Sequence, residues 1–210
     1  MSERPEDEIP AQDHELPAIE FDSPGRFAIH NPASQPATTA TPEPAPFQLG
    51  QHQTLERFAS ADLARAHALA LLQQARRRIC IYSNDLEPWL YNHSSVQDAC
   101  AQLLLANPRN QLRILVQDAR RAVQDGHRLI TLSRRLSSNC SIRRVHPEHP
   151  ASDGSFLLVD DCALWMRPEL SQYSGYVYYS NPGRLRQQLQ LFEQAWAYSL
   201  SDPDLRSFLL

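Results

Sequence analysis

Three short apolar segments, separated by stretches with helical spacing, constrain the fold of this chain most strongly. The segments are RICIYS (Arg78–Ser83), QLRILVQ (Gln111–Gln117) and CSIRRV (Cys140–Val145). Apolar spacing and capping residues predict helices from Ser60 as N-cap to about Arg78, from about Ser95 to Ala106, and from about Ala119 to Leu136. This alternating order predicts parallel strands whose crossover helices cover both faces of a sheet.

The second half of the chain follows a different pattern. Three extended segments lie close together before a last helix that Pro182-Gly183 opens; they are Ser155–Asp160, Cys162–Met166 and Gly175–Ser180. The gaps between them are too short for crossover helices, so hairpins must complete the sheet. The predicted fold class is therefore α/β, with a mixed sheet flanked by helices.

The first 50 residues differ in composition from the rest. They hold nine of the sixteen prolines, and nine acidic residues against two arginines give them a net charge of −7. Such a segment buries too little apolar surface to offset its ordering entropy. We therefore predict a disordered, acidic, Pro-rich leader over residues 1–54 and a folded domain over 55–210, which carries eighteen arginines and fifteen acidic residues.

Several functions are disfavoured by composition. The chain contains no lysine, which excludes Schiff-base chemistry, and six glycines provide no phosphate-cradling loop. The loop HPEH (His146–His149) offers two imidazoles, but no helix or strand holds them in metal-ligand geometry. No cofactor and no metal are therefore predicted. Four cysteines without CxxC spacing, no signal segment and no membrane-length apolar run favour a cytoplasmic protein with reduced thiols.

Two sequence segments and the order of the predicted elements resemble a known family. The strand phrase FLLVDD (Phe156–Asp161), the closing helix LFEQAWAYS (Leu191–Ser199) and the order of elements resemble one half of the phospholipase D superfamily. That family's signature is His-x-Lys-x4-Asp followed by Gly-Ser-x-Asn. The resemblance implies a histidine nucleophile, a lysine on the phosphate oxygens and an aspartate near the imidazole. It also implies that two such halves meet, so this chain is a single half-domain and a candidate homodimer.

The signature residues themselves are largely missing. If Asp160 takes the aspartate position, Asp153 stands in place of the histidine and Ser155 in place of the lysine, while Arg167–Leu170 replace Gly-Ser-x-Asn. More narrowly, Val116–Ser138 resembles an uncharacterised proteobacterial family of single, degenerate phospholipase-D-like domains. Some relatives in that family are attached to a GNAT-type acetyltransferase. The resemblance therefore implies the fold without the catalytic site.

One helix is unusually rich in cations. On the predicted helix Ala119–Leu136, the side opposite the apolar residues carries a one-signed set of candidate anion-binding residues: Arg120, Arg121, His127, Arg128, Arg134 and Arg135. Guanidinium groups in such an array suit phosphate or carboxylate partners. The alternative interpretations are a solvated face or a face covered by the acidic leader.

Two further sets of polar residues have structural explanations. Asn84-Asp85 and Asp118 follow parallel strands, where sheets of this class bind ligands, but capping or loop bonds explain them as well. Tyr173, Tyr176, Tyr178 and Tyr179, with Trp165 nearby, could stack on a nucleobase. Strand alternation instead places about half of them in the core, and this is the interpretation we favour.

The sequence thus favours a non-catalytic domain with a binding or regulatory role. The arginine face or homodimerisation would provide that role, with a protein or a phosphate-bearing ligand as partner. A nucleic-acid-binding protein is one alternative. A phosphodiesterase-like enzyme that uses non-motif residues, such as His127 or His149, is the other.

Overall fold

The computed structural model describes residues 42–148 and 154–206. Within this part of the chain, the strands are β1 (Leu55–Phe58), β2 (Arg78–Ser83), β3 (Gln111–Val116), β4 (Cys140–Arg144), β5 (Ser155–Val159), β6 (Ala163–Arg167) and β7 (Gly175–Tyr178). The helices are α1 (Ala61–Gln74), α2 (Ser94–Ala106), α3 (Arg120–Gln124), α4 (Arg128–Arg135), α5 (Pro182–Ala197) and α6 (Pro203–Arg206), and a π-helix spans Glu87–Tyr91.

The described strands form a single mixed sheet in the order β1-β7-β6-β5-β2-β3-β4. The pairs β2–β3 and β3–β4 are parallel, whereas β5, β6, β7 and β1 are joined by antiparallel pairing. This arrangement confirms the predicted mixed sheet. It follows from connection length, because α2 and the α3–α4 segment cross over between parallel strands while the later strands are joined by short loops.

Helices cover both faces of the sheet. In β2, Ile79 and Ile81 point into the larger core beneath α1 and α2, whereas Cys80 and Tyr82 point into a smaller core beneath α5. Such alternation is the expected period of a strand that is buried on both sides. The Ser60 side chain accepts a hydrogen bond from the Leu63 amide and begins α1, as predicted.

The predicted helix Ala119–Leu136 is in fact two helices. Gly126 has a φ angle of +64°, and this left-handed residue ends α3 before His127 begins α4. Glycine adopts this conformation without steric cost, which makes it a common residue just after a helix end. The proposed array of arginines therefore does not share one helix face.

Most of the predicted leader lies outside the described residues, as do Asp153 and His149. Its described part, residues 42–54, packs against the domain and differs in this respect from the prediction. The Ala45 amide donates to the Ala66 carbonyl at 3.0 Å, and the Gly50 amide donates to the Tyr179 carbonyl at 2.8 Å. Apolar side chains in PAPFQL provide the contacts, because Ala45 is buried and Phe47 packs on the core. Among the described residues, no helix is long and apolar enough to cross a membrane.

Candidate functional site

One edge of the sheet places polar side chains on neighbouring strands. β2 and β6 end at this edge and β5 begins there, so Ser83, Ser155 and Arg167 lie at adjacent strand ends. The parallel strands β3 and β4 also end here. We call this end of the sheet, where β2, β3, β4 and β6 end and β5 begins, the upper edge. It contains Ser155, the residue that the phospholipase D resemblance places at the lysine position.

A buried ion pair fills the upper edge. The Arg167 Nη2 lies 2.6 Å from Glu87 Oε1, and the two residues are only 4% and 2% exposed. The Ser83 hydroxyl donates to the other Glu87 oxygen at 2.6 Å. The remaining Arg167 nitrogens donate to the Ser155 hydroxyl and to two carbonyl oxygens of the following loop. Both charges are therefore compensated by direct partners, as buried charges require.

The loop that carries Glu87 is strained. Leu86 and Glu87 have positive φ angles of 64° and 28°, which residues with side chains rarely adopt, and Glu87 is the first residue of the π-helix. Two hydrogen bonds hold this turn: the Leu86 amide donates to the Ser83 hydroxyl, and the Glu87 amide donates to Asp85. The strain positions the Glu87 carboxylate beneath the sheet edge, where it meets Arg167.

The polar side chains at the upper edge are already paired with one another, and this limits the reactions that the edge could catalyse. Phosphoryl transfer on a histidine would need an imidazole and free cations at the phosphate. Ser155 is wholly buried and uncharged, and the Arg167 guanidinium is committed to Glu87. The Trp89 ring lies 5.2 Å from the guanidinium carbon and covers it further. The geometry is that of a structural ion pair.

Ser155 and Asp160, two of the three predicted motif positions, lie at opposite ends of β5. Asp160 follows β5 at the opposite edge of the sheet, where its carboxylate accepts hydrogen bonds from the amides of Arg76, Arg77 and Arg78. Ser155 begins the same strand, so the length of β5, roughly 16 Å at about 3.3 Å per residue, separates the two. Asp160 therefore caps the turn before β2.

His127 lies in the core and does not belong to an exposed cationic face. It is 1% exposed, and its Nδ1 accepts a hydrogen bond from the Leu129 amide at 3.2 Å, which caps α4. Within the described residues its Nε2 has no well-formed hydrogen bond. Burial lowers the pKa of His127 to about 4, and the Leu86 backbone and the Asp85 carboxylate oppose this shift only in part. The imidazole is therefore neutral at pH 7.

This lowered pKa predicts acid sensitivity. Below the ordinary histidine pKa of about 6.5 the unfolded chain binds a proton at His127, whereas the folded chain does not until about pH 4. The free energy of unfolding should therefore fall as pH drops through this window, by up to about 1.4 kcal/mol per pH unit. Denaturant titrations of the wild type and of His127→Asn, which keeps a capping acceptor, measure the effect. A pH dependence that is equal in both proteins would contradict it.

An open cleft lies farther along the upper edge. It has a volume of about 730 Å³ and follows the carboxyl ends of β3 and β4, between α3 and the C-terminal segment. Its charges are mixed, because Arg120 pairs with Asp118 and Arg144 pairs with Asp202. Hydrogen bonds from Arg120 lower the pKa of Asp118 to about 2. The cleft is at the position where open α/β sheets bind ligands, but its own ion pairs neutralise its walls.

The six candidate anion-binding residues are separated by the break at Gly126. Arg121 lies on α3 and has Asp125 as an ion-pair partner at 3.5 Å. Arg134 donates to the Asp204 carbonyl at 2.7 Å and so ties α4 to the C-terminal segment. The exposed cations of α4 are Arg128, whose guanidinium approaches the Gln97 amide oxygen at 3.4 Å, and Arg135. With Arg120 bound to Asp118 and His127 buried, the predicted cationic face is reduced to these two arginines.

The other polar candidates have structural partners. The Asn84 carbonyl accepts from the Asp118 amide and Asp85 accepts from the Glu87 amide, which confirms the loop-bond interpretation. Tyr179 is buried and its hydroxyl contacts His67 Nδ1 at 2.9 Å, whereas Tyr173 is half exposed. Residues 42–148 and 154–206 contain no cluster of three or more His, Cys, Asp or Glu side chains that could hold a metal ion. The cysteines are free thiols, as predicted.

Sequence reasoning missed the pairing of Glu87 with Arg167. The two residues stand 80 positions apart, and no periodicity relates them. One signal was present: Arg167 ends an otherwise apolar strand, ALWMR, on a buried part of the sheet. A buried arginine requires an acidic partner, and Glu87 lies in a loop that ends at the same edge.

Comparisons with known proteins agree with this architecture. The sequence model described as Domain of unknown function (DUF7931) matches residues 60–208. No curated protein sequence gives a significant match. Among solved structures, Nuc from Salmonella typhimurium, a phospholipase D family member, is 14% identical with a TM-score of 0.52, over 73% of this chain and 99% of its own.

Two further solved structures are similar to this chain at lower coverage of their own length. TrmBL2, an archaeal chromatin protein described as showing a novel mode of DNA binding, is 11% identical with a TM-score of 0.54, over 72% of this chain. The match covers 55% of the TrmBL2 chain, so this chain spans about half of that length. Phosphatidylserine synthase from Haemophilus influenzae Rd KW20 is 12% identical with a TM-score of 0.46, over 69% of this chain and 39% of its own.

At such low identity the structural matches establish the fold alone, and they confirm the predicted phospholipase-D-like α/β class. The match to the sequence model covers residues 60–208, well over half of the 210 residues. The chain therefore belongs to the DUF7931 family.

Proposed function

We propose that this protein is a non-catalytic phospholipase-D-like domain whose role is binding. The observation that carries the proposal is the Glu87–Arg167 ion pair, which occupies the upper edge together with Ser83 and Ser155. At that edge the resemblance would place a cationic side chain on the substrate phosphate. The position instead holds a buried serine, and the nearby guanidinium is neutralised by a carboxylate. This supports a domain that keeps the fold of a phosphodiesterase without its reaction.

The narrower parts of the resemblance belong to the same proposal. A degenerate signature at Asp153, Ser155 and Asp160, and kinship with single proteobacterial domains of which some adjoin a GNAT-type acetyltransferase, fit a binding or regulatory role. A folded domain preceded by an acidic leader fits it as well. A cytoplasmic location is supported by the four free cysteines, because oxidising compartments favour disulfides.

The full-length protein should not hydrolyse bis-p-nitrophenyl phosphate above the rate of a buffer blank, with or without added divalent cations. The reason is that the described residues place no positioned nucleophile and no free cation at the upper edge. Release of p-nitrophenol followed by absorbance measures this. Turnover that His146→Gln or His149→Gln abolishes would overturn the proposal, because it would identify an imidazole of this chain as the nucleophile.

The α4 arginines are the candidate ligand surface. Arg128 and Arg135 are both exposed and stand seven residues apart, two helical turns, so their guanidinium groups leave the same side of α4. Planar guanidinium groups suit phosphate-bearing ligands. Nucleic acid is the specific alternative that a finding favours, since the TrmBL2 structure pairs this fold with DNA binding.

Replacing both arginines tests this surface. Arg128→Gln/Arg135→Gln should weaken binding to a duplex DNA probe and should reduce the dependence of log K on log salt by about 0.9 for each lost phosphate contact. Arg76→Gln/Arg77→Gln, which removes two cations from the opposite edge of the sheet, is the matched control. Fluorescence anisotropy over a salt series provides both numbers. Equal affinity for the α4 variant and the wild type would exclude this surface.

Self-association is the second candidate for the binding role. The phospholipase D resemblance implies that two halves meet across the motif edge, so a homodimer of this single half-domain is the corresponding proposal. Static light scattering of the full-length protein tests it. A purely monomeric mass across the accessible concentrations would reject the homodimer and would leave the ligand surface as the remaining proposal.

A further inference from the structure

A second groove lies on the α5 face of the sheet, and its lining includes neither Glu87, nor Arg167, nor any residue of α4. It has a volume of about 430 Å³, within the range of ligand sites, which is about 300–1,000 Å³. The strands β1 and β7, the loop before β7 and the first turn of α5 form its walls. Its lining residues are Leu55, Arg57, Pro168, Ser174, Gly175, Tyr176, Tyr178 and Arg184.

Strand pairing explains why these side chains meet. β1 and β7 are antiparallel, with Arg57 opposite Tyr176 and Leu55 opposite Tyr178. Side chains alternate between the faces of a sheet, so these two cross-strand pairs share the α5 face while Val177 points into the other core. Their positions are fixed by the backbone register of the sheet.

The groove remains open because α5 does not extend over it. α5 packs on β5 and β6, where it buries Leu185 and Phe192. On the neighbouring β7 the tyrosine rings are only half-buried, and their centroids lie 5.8 Å apart in an edge-to-face arrangement. One ring therefore presents its edge to the face of the other, and part of the aromatic surface is accessible from solvent.

The charge of the groove is positive. Arg57 and Arg184 are exposed, and the ion pairs formed within residues 42–148 and 154–206 include neither of them. Among the residues that the structure describes, no acidic side chain lines the groove. Arg184 is close enough to Tyr176 to favour its phenolate, although burial and Tyr178 raise the pKa of this tyrosine overall. Free guanidinium groups thus flank the aromatic rings on both sides.

We infer that this groove binds single-stranded nucleic acid. Arg57 and Arg184 would contact backbone phosphates, and a base would stack against the exposed surface of Tyr176 or Tyr178. Arginine next to accessible aromatic rings is the combination that proteins use for single strands, because every base offers a π-face. A duplex hides those faces, and an acidic peptide would use the arginines but not the rings. This site goes beyond the proposed ligand surface on α4 and shares no residue with it.

The test compares matched variants of the full-length protein. The probe is a fluorescent oligothymidylate of about twelve nucleotides, within the site size of single-strand binders, in about 50 mM NaCl. The groove variants are Tyr176→Leu/Tyr178→Leu, which keeps apolar bulk, and Arg57→Gln/Arg184→Gln. The controls are Tyr198→Leu and Arg186→Gln, which replace an exposed tyrosine and an exposed arginine outside the groove. Tyr176→Phe/Tyr178→Phe restores the rings. Thermal unfolding verifies that each variant is folded.

The expected results distinguish base stacking on the tyrosine rings from phosphate contacts of the arginines. The Tyr-to-Leu variant should weaken binding at least about five-fold for each lost stack, and the Phe variant should bind like the wild type. The Arg-to-Gln variant should lower the salt slope by about 0.7 per lost phosphate contact, and the controls should change neither quantity.

Three results would overturn the inference. They are no oligothymidylate binding at low salt, binding that the groove variants leave unchanged, or equally tight binding of a polyglutamate peptide. The second of these results would support the α4 surface if Arg128→Gln/Arg135→Gln abolished the binding. Loss of oligothymidylate binding in the groove variants alone would support the groove as the binding site. The α4 surface would then have no part in binding this probe.

Discussion

Replacement of Arg167 with methionine is expected to lower the free energy of unfolding by about 3–5 kcal/mol, the usual result of removing one partner from a buried ion pair. Methionine fills much of the space but leaves the Glu87 carboxylate buried without its cation. The carbonyl oxygens of Leu170 and Gln172 also lose their donor. Urea denaturation followed by circular dichroism measures the change.

Two companion variants identify the cause. Glu87→Leu/Arg167→Met removes both charges and should recover most of the lost stability, because apolar replacement of a whole buried pair is often neutral. Arg121→Met, which breaks an exposed pair with Asp125, should change stability by no more than about 0.5 kcal/mol. A double variant as unstable as Arg167→Met would show that lost packing, and not the unpaired carboxylate, is responsible.

The same experiment bears on function. If Arg167 serves only to hold the upper edge together, the double variant should keep whatever ligand the wild type binds at α4 or at the β1–β7 groove. If a substrate phosphate instead displaced Glu87 from Arg167, the double variant would lose binding while remaining stable. Stability and binding measured together therefore distinguish a structural ion pair from a masked binding site.

The strands β2, β3 and β4 could be predicted directly from the sequence. RICIYS was predicted as Arg78–Ser83, which are the bounds of β2, and the predictions for β3 and β4 extended one residue too far. β2 and β3 lie inside the sheet and are largely buried on both faces, so they appear as mostly apolar runs. β4 is an edge strand, and its buried Cys140 and Ile142 alternate with more exposed polar residues. The resemblance added the phospholipase-D-like class, which the order of hairpins alone does not specify.

The break between α3 and α4 could not be predicted from the sequence in the same way. Apolar residues from Ala122 to Leu136 keep helical spacing across the break, and an isolated glycine within such a pattern is compatible with a continuous helix. Only the tertiary structure shows that Gly126 adopts a left-handed conformation. The proposed arginine face on a single helix depended on that continuity, and for this reason the candidate site was predicted less well than the fold.

The surroundings of Ser155 at the upper edge could not be predicted for another reason. Alignment to a signature assumes that each position keeps its place, and Ser155 does lie at the expected edge. Its environment, however, is set by Glu87 from a loop that no signature includes, in a strained conformation that local propensity disfavours. The sequence predicts that the signature residues are missing, but it does not predict the Glu87–Arg167 ion pair at this edge.

Gly175→Ala is expected to cost about 3 kcal/mol or more, because the added methyl group has no space. A Cβ at this position would overlap the Met166 carbonyl oxygen and the Phe58 ring. The first is backbone of the neighbouring strand and cannot move without breaking the β6–β7 pairing. The second belongs to β1, a four-residue edge strand that the sequence did not reveal, and its ring also stacks on Trp165 at 5.0 Å.

Gly183→Ala is the matched control for this prediction. Its nearest neighbour would be the Asn181 side-chain oxygen at 3.6 Å, an ordinary contact, and its position in the first turn of α5 favours alanine. This variant should leave stability unchanged or raise it by up to about 1 kcal/mol. Gly175→Ala should also displace β1 and therefore weaken oligothymidylate binding at the β1–β7 groove. A Gly175→Ala protein as stable as the wild type would mean that Phe58 does not pack over β7, and the paired Arg57–Tyr176 wall of the groove would then have no basis.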